Sequence, residues 1–188
     1  MLSINPLGTS IGAEITGVDL RAPLSGEATR AIYQAFLDHI VVVIRGESLT
    51  PQQYCDALAH FGEPMRQHRE KYNLPECPDV SVVTNIGGFS RAEHWHTDHT
   101  NHECPPKVTA LHAVKLPSSG GATWFANMYA GLEALSPQSR ERIEHLHTLN
   151  SMEDNPGYSQ ADRQRNPGGV RHPMVRTHPE TGRKALYF

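Results

Sequence analysis

A β-sandwich or barrel carrying helices on one side is the architecture this 188-residue sequence predicts. Three observations lead there. Short apolar segments at residues 80–83, 108–114, 123–125 and 185–188 are separated by Gly, Pro and Asn clusters, as strands joined by turns are. Well-capped helical patterns are few. No repeat or low-complexity tract points to a solenoid or array. Short strands with a minority of helices give a sandwich or barrel.

In chain order, residues 4–20 read as short strands and turns punctuated by Gly8, Gly12 and Gly17. A helix follows, with Ser25 as N-cap and Ala28, Ile32, Ala35 and Phe36 as its apolar stripe. Residues 40–44 are β-branched and continuously apolar, which predicts a buried strand. Thr50-Pro51-Gln52-Gln53 opens a second helix: Thr50 caps, Pro51 fits the first helical position, and Gln53 completes a capping box. Tyr54, Ala57, Leu58 and Phe61 form its buried face, and Gly62 is placed to end it. Polar residues 63–80 read as loop. Pro117-Ser118-Ser119-Gly120-Gly121 is a turn between two strands, and Ser136-Pro137 starts another helix with Ile143 and Leu146 facing inward. Residues 151–171, rich in Asn, Gly, Gln and Arg, read as a mobile loop or lid.

Composition narrows the partners. Net charge is −3, and no basic arm or patch is present, which argues against nucleic acid or an anionic membrane as the main partner. The longest strongly apolar run, residues 40–44, is far shorter than a bilayer span. The first residues show neither a basic nor a long apolar signal region. Cys55, Cys77 and Cys104 are sparse and widely spaced, matching no disulfide framework and no CxxC metal site, so free thiols in a reducing cytoplasm are expected.

The chemistry concentrates in Glu93-His94-Trp95-His96-Thr97-Asp98-His99-Thr100. On a strand, residues two apart point to one face, so His96 and Asp98 would aim an imidazole and a carboxylate at one point. Such a pair is two-thirds of the 2-His-1-carboxylate set that binds non-haem Fe(II) and leaves three coordination positions open. With 12 His and seven Asp in the chain, chance alone yields about half of one such tripeptide, so the surrounding sequence must decide. A zinc site could also be drawn from His94, His96, His99 and Cys104, and His94-Trp95-His96 mimics a metal-binding H-x-H. His99 and His102 read as neighbours of the pair, facing substrate or solvent, and Trp95 as core packing.

The order of motifs supplies the context. The Thr-Pro-Gln-Gln helix ends in Phe61-Gly62-Glu63-Pro64, and Trp95-His96-Thr97-Asp98-His99-Thr100 follows. Then come Pro105-Pro106, Leu116-Pro117-Ser118-Ser119-Gly120-Gly121-Ala122-Thr123-Trp124 and Glu133-Ala134-Leu135-Ser136. Last is Arg176-Thr177-His178-Pro179-Glu180-Thr181-Gly182-Arg183-Lys184-Ala185-Leu186-Tyr187. From about residue 3 to its end, the chain resembles the taurine/2,4-dichlorophenoxyacetate dioxygenase family.

That resemblance implies a mostly β fold with flanking helices, a double-stranded β-helix or jelly roll of cupin-like type, with residues 1–188 a single domain. It implies Fe(II) as cofactor, 2-oxoglutarate as co-substrate, O2 and a small, anionic organic substrate, with release of succinate and CO2. An assembly of identical chains is compatible with it. His96 and Asp98 match the first two iron ligands. Thr123 matches the hydroxyl donor to the distal carboxylate of 2-oxoglutarate, and His68 falls near a substrate-contacting histidine. The family's second metal-binding histidine and its 2-oxoglutarate arginine lie beyond the segment resembling residues 176–187. The chain is therefore expected to be the N-terminal two-thirds of a dioxygenase domain, lacking the strands that close the jelly roll. By itself it would be an inactive fragment or metal-binding remnant, the natural polypeptide being longer by on the order of 80–100 residues. His172 and Arg183 imitate the missing pair in spacing but are set aside, because residues 177–187 align as a separate element and Pro173 suits a loop.

Overall fold

The computed structural model describes residues 1–65, 72–84, 94–152, 160–165 and 168–188. They fall into two units, one formed by Met1–Thr84 with Ala110–Asn127 and the other by Asn85–Thr109 with Met128–Phe188.

The first unit is organised around strand β2 (Ala13–Thr16), which pairs antiparallel with β1 (Ser3–Pro6) and parallel with β3 (Val42–Ile44). Alternation along β2 puts Ala13 and Ile15 on the covered face, both fully buried. Helix α1 (Gly26–His39) provides the cover. Ser25 accepts from the Ala28 amide at 3.1 Å, and Ile32 and Ala35 pack against Ile15, ringed by Leu2, Ile4, Val42, Ile44 and Phe61. The predicted strand at 40–44 starts only at Val42. Ile40 is instead the C-cap of α1 with φ of 70°, its N–H closing on the Phe36 carbonyl at 2.8 Å. Such a φ is costly for a β-branched residue and ends the extended run.

Helix α2 (Pro51–Leu58) carries the full capping box: Thr50 accepts from the Gln53 amide, and Gln53 accepts from the Thr50 amide at 2.9 Å. It ends at Leu58 rather than at Gly62. Strands β4 (Asn73–Leu74) and β5 (Cys77–Ser81) form a small hairpin. Packing of α2 against β5 brings Cys55 and Cys77 into a disulfide, which corrects the expectation of free thiols; Cys104 alone is free and exposed. A pairing created by tertiary packing is not written in cysteine spacing. Residues 110–127 run irregularly, with Leu111, Val114, Leu116, Trp124 and Phe125 exposed. The strands expected at 108–114 and 123–125 are absent because no neighbouring strand among the described residues pairs with them, and an extended segment needs such a ladder.

The second unit begins its regular part with helix α3 (Met128–Glu133), whose Tyr129 and Leu132 are buried and which packs on β9 (Lys184–Leu186). Helix α4 (Pro137–Ile143) starts at the predicted Ser136 cap, but Leu146 is exposed rather than inward. Strands β6 (His147–Ser151) and β7 (Gly169–Pro173) form an antiparallel hairpin, and β8 (Val175–Thr177) pairs with β9. Between β6 and β7 lies helix α5 (Gln160–Arg165), so the stretch 151–171 carries secondary structure at its ends and middle. Pro173 belongs to β7 and not to a loop. It sits at the end of a two-stranded ladder, where a missing N–H costs little. Among the described residues the sheets have three, two, two and two strands, and none closes into the expected barrel. No described helix is long and apolar enough to cross a membrane.

Candidate metal centre

His96 and Asp98 lie in the second unit, on a segment that runs irregularly through residues 95–97 and enters a turn at Asp98. This corrects the expected strand. The pair nevertheless converges, with His96 Nε2 3.3 Å from Asp98 Oδ1. The turn supplies the convergence: the His102 amide closes on the His99 carbonyl at 3.0 Å, and His99 takes a φ of 53°.

Hydrogen bonding fixes what each atom offers. His96 Nδ1 stands 2.8 Å from the His94 carbonyl oxygen, which can only accept, so Nδ1 carries the proton. In the neutral ring Nε2 is then the lone-pair nitrogen and has no hydrogen for Asp98. In that form a lone pair and a carboxylate oxygen face each other, an arrangement that a shared cation relieves, whereas a ring protonated on both nitrogens would make the same contact an ion pair. Two ligands with bonds of roughly 2.1 Å in adjacent octahedral positions stand about 3 Å apart. The observed separation matches that closely. Donation from Nδ1 to a backbone carbonyl is also the usual way in which a metal-bound histidine is oriented.

The other carboxylate oxygen is held too. Thr109 Oγ1 donates to Asp98 Oδ2 at 3.2 Å, and Thr97 Oγ1 donates to the Phe188 carbonyl at 3.3 Å. Lys107 pairs with Glu180 at 3.2 Å and ties the end of the segment to the β8–β9 loop. The side chains of His96 and Asp98 are about half exposed, at 51% and 46%, so the pair is reachable from solvent.

The remaining candidates are placed as follows. Trp95 is exposed, not core. His99 and His102 stack edge to face at 5.5 Å. His172 is buried and gives its Nε2 to two carbonyls, Thr100 and His102, at 2.9 Å each. Arg183 lies over the Tyr129 ring at 3.9 Å. Thr123 sits in the first unit, exposed, just after Gly120 and Gly121, whose φ values are 72° and 70°; the chain bends at 118–119, but not between two strands as expected. His68 lies outside the described residues. No group of three or more His, Cys, Asp or Glu placed to hold a metal occurs among the described residues, so the zinc set of His94, His96, His99 and Cys104 does not form. The contact of Thr109 with Asp98 and that of His172, weighed above only as an imitation of the missing ligand, with the turn at 100–102 are not foreseen from the sequence. No spacing signals them, since they act from 11 residues away and from about 70.

The profile of the taurine catabolism dioxygenase TauD, TfdA family matches residues 3–188. An alpha-ketoglutarate-dependent sulfate ester dioxygenase of Pseudomonas putida is 32% identical over 98% of this chain and 65% of its own length. An alpha-ketoglutarate-dependent 2,4-dichlorophenoxyacetate dioxygenase of Cupriavidus pinatubonensis is 30% identical over 98% of this chain and 72% of its own. Among solved structures, a taurine dioxygenase from Burkholderia xenovorans superposes with a TM-score of 0.79 at 31% identity, covering 99% of this chain and 62% of that one. The chain thus spans about two-thirds of the length of these relatives.

Proposed function

The chain belongs to the taurine catabolism dioxygenase TauD, TfdA family, and from that premise we propose that the whole protein is an Fe(II)- and 2-oxoglutarate-dependent dioxygenase whose His96 and Asp98 are metal ligands. The observation that carries this reading is His96 Nε2 facing Asp98 Oδ1 at 3.3 Å, with Nδ1 committed to the His94 carbonyl. When bound, the iron couples oxidative decarboxylation of 2-oxoglutarate to succinate and CO2 with hydroxylation of a substrate C–H bond by O2.

The protein's part is to bind, orient and exclude. His96 and Asp98 would hold the metal through an imidazole nitrogen and a carboxylate oxygen. The Thr109 hydroxyl and the turn at Asp98 hold the carboxylate in place. By its place in the family motif Thr123 is the candidate donor for the distal carboxylate of 2-oxoglutarate, since a small hydroxyl suits a carboxylate. His68 is a substrate contact. The substrate is a small organic anion. Sulfate esters, 2,4-dichlorophenoxyacetate and sulfonates, the compounds named for the relatives, share an anionic group close to a carbon–heteroatom bond. Hydroxylation at that carbon lets the product fall apart.

The test is succinate formation from 2-oxoglutarate under air, with Fe(II), across an alkyl sulfate, an alkylsulfonate and an aryloxyacetate. The expected result is turnover with at least one of them, lost in His96→Ala and Asp98→Ala. Unchanged turnover in either variant would remove that residue from the centre. No turnover by the wild type with any of the three would favour the inactive-remnant reading.

A further inference from the structure

His172 is the one buried histidine among the described residues, at 4% exposure. Its Nε2 lies 2.9 Å from the Thr100 carbonyl and 2.9 Å from the His102 carbonyl, so a single N–H is shared by two acceptors. Those acceptors come two and four residues after Asp98, inside the turn that makes Asp98 converge on His96. The imidazole is itself held from both sides. Its backbone belongs to β7, in register with Thr148 of β6, and its ring meets Tyr187 edge to face at 5.2 Å. Tyr187 is backed by Arg176 at 4.8 Å. A buried imidazole loses hydration that an aliphatic side chain of similar size would not, and here the loss is offset by satisfying two carbonyls of a turn.

Resting on the reading that His96 and Asp98 bind the metal, we propose that His172 is a positioning residue for that pair. Its Nε2–H clamps the turn at residues 98–102 to the β6–β7 hairpin. The Asp98 carboxylate is thereby held where it can share a cation with His96 instead of swinging into solvent.

The experiment titrates Mn(II) into the metal-free, full-length protein by calorimetry, with the fold followed by circular dichroism. The variants are His172→Phe, His172→Gln and His172→Asn. Phenylalanine keeps the ring volume and removes the donor. The glutamine amide can reach the position of Nε2, whereas the asparagine amide is one methylene too short. The expected result is a Kd for Mn(II) raised on the order of ten-fold in His172→Phe and His172→Asn, the scale of a lost partner outside the coordination shell. His172→Gln should stay within about three-fold of wild type, a rescue that ring packing alone would not give. If His172→Phe does not fold, His172→Asn carries the comparison. Wild-type affinity in the donor-less variants would overturn the proposal, as would a His172→Gln that binds no better than His172→Phe. Failure of both His172→Phe and His172→Asn to fold would also overturn it, in favour of a scaffold role. His96→Ala separates the two levels. If it binds Mn(II) as wild type does, the metal reading fails and His172 falls with it; if it does not bind while His172→Phe binds as tightly as wild type, only the role of His172 is lost.

Discussion

Thr109→Val removes the hydroxyl that donates to Asp98 Oδ2 at 3.2 Å while keeping the side-chain shape. Asp98 then has Oδ1 against His96 Nε2 and nothing from Thr109 to stop rotation of its carboxylate. A hydrogen bond to a charged group contributes about 1.5–3 kcal/mol at best. This one is long, and the Asp98 side chain is 46% exposed, so water recovers much of the loss. An expected cost of about 0.5–1 kcal/mol corresponds to a two- to five-fold rise in the Kd for Mn(II). Titration calorimetry on the metal-free protein resolves that change. Thr109→Ser restores the donor and should restore the affinity. In an Asp98→Ala background Thr109→Val should add nothing, because the two residues act through one contact. Equal Mn(II) affinity in wild type and Thr109→Val would refute the claim that this hydroxyl orients the carboxylate. An additive effect in the Asp98→Ala background would refute it equally.

Burial pushes the Tyr54 phenol up to about 12, from near 10 in an unfolded chain, so the folded state holds that proton more tightly. The stability this gives is complete below about pH 10 and fades as pH rises from about 10 through about 12; denaturant midpoints should show the loss, and Tyr54→Phe should flatten it, whereas a phenol titrating near 10 in the native protein would contradict it. Thiol counting in denaturant without reductant should find one thiol per chain, from Cys104, and three after reduction; three from the start would mean that Cys55 and Cys77 are not joined. Ile15→Ala, at a fully buried strand position under α1, should lower unfolding free energy by about 2–5 kcal/mol. A loss below about 1 kcal/mol would mean that this face is not the core of the first unit.

Legibility followed distance along the chain. The Ser25 cap, the Thr50–Gln53 capping box and the Ser136 cap depend on atoms three residues apart, and all three form. The backbone at Gly120 and Gly121 is equally local, since positive φ values suit glycine. What failed was set by partners far away. The strand candidate at 108–114 becomes a strand only if another strand lies beside it, and none of the described residues supplies one. Residues 40–44 lost their first two residues, Ile40 to the cap of the preceding helix and Val41 with it. Cys55 and Cys77 meet because α2 lies on β5. The parallel pairing of β2 and β3 around α1, and the β6–β7 hairpin, likewise require packing that hydrophobic period alone does not encode.

At the candidate centre two side chains converge without the strand that their spacing suggests. Strand alternation was the argument for convergence of His96 and Asp98, yet the segment is not a strand. The two side chains meet because a turn begins at Asp98, and that turn is tied down by the His172 Nε2 contacts with Thr100 and His102. The chemical content is independent of backbone class. It lies in the His94 carbonyl, which accepts from His96 Nδ1 and leaves Nε2 turned toward a carboxylate oxygen. Any backbone that keeps those three atoms in that relation presents the same two donors to a cation. The spacing His-x-Asp is thus necessary for the site to be local, whereas its orientation comes from residues 94, 109 and 172, which the tripeptide does not contain.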